Sequence, residues 1–147
     1  MGRNSQLWPL QVALATAIAA DATLQGILAG DMVYSVSPPE NTPYPYITFG
    51  LVQENDDNLF GKPGTLAGQV LDIWTRKTTT TGGATQEIGG RQVLQIYGAL
   101  RHLLHQQPLT VTGFSVVNGL VSLLATMDDP DGITVHGVAR YDVTSRG

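Results

Sequence analysis

The sequence predicts an α+β fold: a mostly antiparallel sheet of about six strands, with an N-terminal helix and one long helix packed on one face. Three observations carry this. Gln69-Val70-Leu71-Asp72-Ile73-Trp74-Thr75-Arg76 alternates, is rich in β-branched and aromatic residues, and has substantial side chains on both faces, as a strand in the middle of a sheet requires. Val93, Ile96, Tyr97, Leu100, Leu103 and Leu104 recur at three- and four-residue steps, which is one apolar stripe of an α-helix. After Pro108, apolar runs are punctuated by Asn118-Gly119 and Asp128-Asp129-Pro130-Asp131-Gly132, the pattern of an antiparallel meander. A chain of 147 residues can bury a core without disulfide or metal staples, so a single domain over residues 1–147 is expected.

The formal net charge is −4 and the isoelectric point is near 5.1. Lys62 and Lys77 are the only lysines and the arginines are scattered, which argues against binding nucleic acid through a basic surface. With no cysteine, the chain has no disulfide framework, no thiolate metal site and no thiol nucleophile.

Taken in order, Arg3 followed by Leu7 to Ala20 imitates a secretory signal, with Ala17 to Ala20 as its cleavage site. Gln11 and Thr16 interrupt the apolar run, however, and Leu7, Leu10, Leu14 and Ile18 recur at helical spacing, so a helix packed on the sheet is the plainer account. Asp21, Thr23 and Gln25 argue against a membrane span, which needs about 20 largely apolar residues. Pro9 is acceptable only in a first turn and places the helix start near it. Asp21 reads as the N-cap of a short second helix through Leu24, Ile27 and Leu28, ended by Gly30.

Met32 to Val36 reads as a first strand, Ser37 to Asn41 as a turn, and Pro45 to Val52 as a second strand with Ile47, Phe49 and Leu51 on one face. Pro43 and Pro45 mark its entrance, because neither can donate a ladder hydrogen bond. From Gln53 to Gly68 the chain turns polar and Gly-rich, a loop of a length that usually serves function. Its Glu54, Asp56 and Asp57 raise the question of a metal site, but no third ligand type follows at fixed spacing and a solvated loop is the simpler account. Beyond the central strand a second polar stretch, Lys77 to Gln86, includes Thr78 to Thr81. The two stretches should project from opposite ends of that strand, making Glu54, Asp56, Asp57, Lys62, Lys77 and Thr79 candidate interaction residues.

The main helix is expected over Thr85 to Gln106, its first turns loosened by Gly89 and Gly90. Trp74 should lie beneath it, largely buried against Ile96, Tyr97 and Leu100. His102 and His105 invite a zinc reading, yet carboxylates at helical spacing are lacking, and they read as solvated residues on the helix rim. Strands over Leu109 to Val117, Leu120 to Met127 and Ile133 to Thr144 follow, with Asn118-Gly119 as a two-residue hairpin turn. The aspartates of Asp128 to Gly132 lack the later Glu of a calcium loop and read as a turn. In the last strand Ile133, Val135, Ala139, Tyr141 and Val143 share one face, and His136, Val138, Arg140 and Asp142 the other, where cross-strand pairing accounts for the charges.

The order of these motifs resembles a family, the tail-completion or tail-terminator proteins of long-tailed bacteriophages and gene transfer agents. The matching stretches are the opening helix to Ala20-Asp21 and Leu24, the strand Pro43-Tyr44-Pro45-Tyr46-Ile47-Thr48-Phe49-Gly50, the strand Leu71 to Thr75, and the closing Asp129 to Gly132 with His136 to Thr144. The Thr78 to Thr81 run and the Gly89-Gly90 pair depart from the pattern. The resemblance implies a small α+β subunit without cofactor that forms a ring, typically a hexamer, at the head-proximal end of the virion tail. It implies a ring that ends tail tube polymerisation, contacts the tail tube protein and the head-tail connector protein, and lets DNA pass its lumen without specific binding. Assembly in the host cytoplasm, away from membranes, goes with it. The residues agree with a non-enzyme, since no nucleophile elbow, phosphate loop or metal-ligand spacing accompanies the serines, histidines and aspartates. The alternative is a small secreted enzyme or ligand-binding domain with its site around His102, His105 and His136.

Overall fold

Four long strands carry the structure, a computed structural model that describes residues 5–28, 33–34, 44–56, 64–81, 84–87, 89–113 and 115–146. In chain order the elements are α1 (Leu7–Ala20), α2 (Ala22–Ile27), β1 (Val33–Tyr34), β2 (Tyr46–Asp56), β3 (Gly64–Arg76), β4 (Thr78–Thr81), β5 (Ala84–Glu87), α3 (Gly89–Leu104), β6 (Ser115–Asp128) and β7 (Thr134–Arg146). The sheet runs β2-β3-β7-β6 with every neighbour antiparallel, and two-residue β1 adds in parallel at Ile47 and Thr48 of β2. The antiparallel sheet therefore has four strands where about six were expected, and β4-β5 is a separate hairpin.

The difference has two sources: β1 is only a two-residue parallel addition, and the strands expected on either side of Asn118-Gly119 are one strand, β6. Asn118 and Gly119 do not turn the chain: they lie inside β6 and pair with Thr144 and Val143. Glycine is needed there because the Tyr141 ring lies against it, and a Cβ would meet the phenol oxygen and Cε1. A glycine inside a strand marks such a close approach as readily as a turn. The stretch from Gln53 to Gly68 is also strand at both ends, with Asp56 opposite Thr65, which leaves residues 57–63 as the connection.

Helices α1, α2 and α3 share one face of the sheet. Leu10, Leu14 and Ile18 of α1, Leu24 of α2, and Val93, Ile96, Leu100 and Leu104 of α3 are buried in one core with Ile47, Leu71, Ile73, Ala139, Tyr141 and Val143 of the strands. Asp21 caps α2, its Oδ2 accepting from the Leu24 N–H at 2.9 Å. Helix α3 is shorter than its apolar pattern suggested. It starts at Gly89, where Arg76 O, Lys77 Cα and the Val135 side chain leave no room for a Cβ, and residues 84–87 before it pair with β4.

Strand β3 alternates as expected, but the helix side takes Leu71, Ile73 and Thr75, so Trp74 is half-buried on the opposite face rather than under α3. A register shift between Phe49 and Val52 similarly turns Leu51 out of the face shared by Ile47 and Phe49, and it is 82% exposed. Ile133 precedes β7 and is exposed. The turn before β7 is held by Asp131, which accepts from the Ile133 and Thr134 N–H groups and from the Thr134 hydroxyl, while Gly132 takes a positive φ of 75°. Those bonds, with the Thr134 hydroxyl first, hold the Asp131 carboxyl below its ordinary range. The expected features at Gly30, Met32, Ser37 to Asn41 and Pro43 lie outside the described residues.

Candidate assembly surfaces

The sheet face away from the helices carries a row of paired polar side chains. Along β3 and β7 the outward positions are Asp72, Trp74, Arg76, His136, Val138, Arg140 and Asp142, and cross-strand register sets Trp74 opposite His136 and Asp72 opposite Val138. The Trp74 indole stacks on the His136 ring at 4.0 Å and 6°, and its Nε1–H donates to Thr48 Oγ1 at 3.0 Å. His136 Nε2 lies 2.7 Å from Asp72 Oδ1. Arg140 donates through Nε to Asp142 at 2.7 Å and through Nη2 to Gln53 at 3.2 Å, and the Arg76 guanidinium lies over the Tyr44 ring at 4.5 Å. Arg76 and Arg140 of this face are thus both engaged within the chain, by an aromatic ring and by a carboxylate with an amide oxygen.

The sheet edges are treated unequally. On β6 the end of α3 covers Gly119 and Val121: the Gln106 N–H donates to Gly119 O, Arg101 donates to Val121 O at 3.2 Å, and the Val121 N–H donates to His105 Nδ1 at 3.0 Å. Among the described residues, no such cap covers Leu123 to Asp128. On β2, β1 covers Ile47 and Thr48, and the Gln69 amide bonds Gly50 O at 3.3 Å, whereas Val52 to Asp56 carry no outer partner among the described residues.

Helix α1 has no charged residue between Leu7 and Ala20, and its outer side shows Trp8, 69% exposed, and Val12. Together with Pro108 to Thr112 that side forms an open groove of about 710 Å³. Apart from Gln11 and Thr16 the helix is apolar on its outer as well as its inner side, and such a helix is expected to be covered on both.

The residues singled out beforehand fall apart into different roles. Glu54 lies in β2, and its Oε2 accepts from the Gln6 N–H at 2.8 Å, fastening the start of α1 to the sheet. Asp56 ends β2, Thr79 pairs with Gln86 in the β4-β5 hairpin, and Lys77 sits at the hairpin's base, 3.6 Å from Asp128. Asp57 and Lys62 lie outside the described residues. His102 is exposed on α3 beside a groove with Asp21, His105 caps β6, and His136 is on the other face of the sheet. The three histidines therefore form no common site.

Comparison with known proteins then places the chain. Residues 12–145 match the model of the family described as tail completion protein gp17. The chain belongs to that family. A chain from the virion of a native gene transfer agent particle superposes on this tail completion protein with a TM-score of 0.73, covering 94% of this chain and 95% of that one at 18% sequence identity. At that identity the likeness is one of fold. No curated protein matches the sequence.

Proposed function

We propose that this tail completion protein is a structural component of a virion tail that forms a ring, of six subunits, at the head-proximal end of the tail tube. There it ends tube polymerisation and provides the surface on which the head joins. The family match over residues 12–145 carries this reading. The surfaces support it: two edges incompletely paired among the described residues, an apolar outer helix face and a hairpin set off from the sheet are features of a subunit made to be covered by others.

Its partners in this reading are copies of itself, the tail tube protein and the head-tail connector protein. DNA passes through the lumen, and a chain of net charge −4 whose Arg76 and Arg140 are held by Tyr44 and Asp142 gives phosphates little to grip. Glu54, Asp56, Asp57, Lys62, Lys77 and Thr79 are proposed to meet neighbours, tube or head.

The test is imaging of particles made without this chain. Tails of uncontrolled length, or tails and heads that fail to join, with rescue by the intact gene, are expected. Normal, infectious particles lacking the chain would overturn the proposal.

A further inference from the structure

Among the described residues, the two uncovered edge segments lie at opposite ends of the strands. In the register of β3, Leu123 to Asp128 of β6 stand level with Leu71 to Thr75, where β1 covers the far edge, and Val52 to Asp56 of β2 stand level with Thr65 to Gln69, where α3 caps the other edge. Counting the described residues, each half of the sheet is thus closed on one side and open on the other. Exposed apolar side chains collect at both openings, Leu51 and Val52 beside one and Leu124 and Met127 on the other, and each strand carries a register shift nearby.

We infer that the open end of β6 adds to the open end of β2 on a second copy of this chain, so that the ring is a sheet continued from subunit to subunit. Strand direction allows it without reorientation. With β2, β3, β7 and β6 alternating, β6 runs opposite to β2, so a neighbour in the same orientation presents its β2 antiparallel to β6. The two surfaces differ, so the contact is head-to-tail and can close only as a ring or continue as a filament. Long bare edges with exposed leucines would otherwise invite unspecific pairing, and a second copy brings the matching edge at the same concentration.

The diagonal placement also fixes a stagger. Joining the open segments steps successive subunits by about six residues along the strands, ~20 Å at ~3.3 Å per residue. Across the four strands of each copy at ~4.8 Å spacing, this inclines them by roughly 45°, at the steep end of the ~35–45° tilt of closed sheets.

The inference rests on the ring proposed above and is tested separately from it. Leu51→Lys with Val52→Lys loads one edge with charge, and Leu124→Lys with Met127→Lys the other; all four positions are exposed, and unchanged circular dichroism and melting confirm folding. Wild type, with tail tube added if needed, should form rings by light scattering and negative stain, and each double variant alone should stay monomeric. An equimolar mixture should stop at a one-to-one complex, because each variant retains the edge the other has lost. Hydrogen exchange of the wild-type ring should show protection gained at 52–56 and 123–128. Rings from either variant, a symmetric dimer of either alone, or no gain of protection in the ring would overturn the edge assignment while leaving the ring standing. A wild type that stays monomeric even with tail tube would overturn both.

Discussion

The indole of Trp74 lies flat on the imidazole of His136, with ring centroids 4.0 Å apart, on the face of the sheet opposite α1, α2 and α3. Trp74→Ala loses this stacking and the bond to Thr48, about 1–3 kcal/mol together, less than the ~3–5 kcal/mol of a tryptophan in a closed core. Urea denaturation of Trp74→Ala, His136→Ala and the double variant should give a coupling of about 0.5–1.5 kcal/mol. No coupling would mean that the two rings lie together without stabilising each other.

Helix α3 is seated by a missing side chain. The Cβ that Gly137 of β7 lacks would strike Cγ1 of Val93, and Val93 is β-branched with little freedom to rotate away. Gly137→Ala should therefore lower stability by about 1–3 kcal/mol through overpacking. Adding Val93→Ala should recover part of that loss, although Val93→Ala alone destabilises. Two effects that simply add would show that the residues do not meet.

What the sequence disclosed follows from where apolar periodicity decides structure. The stripe of α3 and the Asp21 cap were legible because each is a local pattern with one physical reading. Trp74 was not, because alternation separates two faces of a strand without saying which one the helices cover. The strand ends between Gln53 and Gly68 were hidden for another reason: the buried positions there, Thr65, Ala67 and Gly68, are polar or small, and the buried residues beside them are polar as well. Gln6, Thr65 and Gln69 are nearly inaccessible and bond among themselves and their neighbours, with the Gln11 amide donating to Gln69 at 2.8 Å. A hydrophobic pattern cannot register a core built that way. The open edge segments depend on which side chains of α3 reach across to β6, a long-range contact with no local signature.

Tyr141 should make the fold sensitive to alkali. Its hydroxyl is buried without a partner against Gly119, and burial pushes the phenol up to about 12. The unfolded chain releases this proton near 10, so the contribution is intact below that and is lost as pH rises from about 10 to about 12, on the order of 2 kcal/mol. Tyr141→Phe should flatten this part of the stability profile and leave stability at pH 7 equal or slightly higher, since the unmet hydroxyl is removed. The same alkaline slope in both proteins would clear Tyr141.

The last prediction separates the connection between β2 and β3 from the strands that bear it. Asp56 pairs with Thr65 and the ladder continues through Phe49 and Leu71 to Tyr46 and Trp74, so the two strands are held by each other and not by what joins them. Residues 57–63 include Asp57 and Lys62 within a polar, Gly- and Pro-containing stretch. Shortening such a connection changes closure entropy slowly, by about 0.6 kcal/mol per halving. Replacing residues 57–64 with Asn-Gly, which puts a two-residue antiparallel turn between the paired Asp56 and Thr65, should leave the thermal midpoint within a few degrees of wild type. If this end of β3 meets a neighbour, the tube or the head, the same replacement should give overlong tails or tails without heads in particle images. Normal tail length and infectivity would remove the segment from assembly, and loss of cooperative melting would show that it supports the fold.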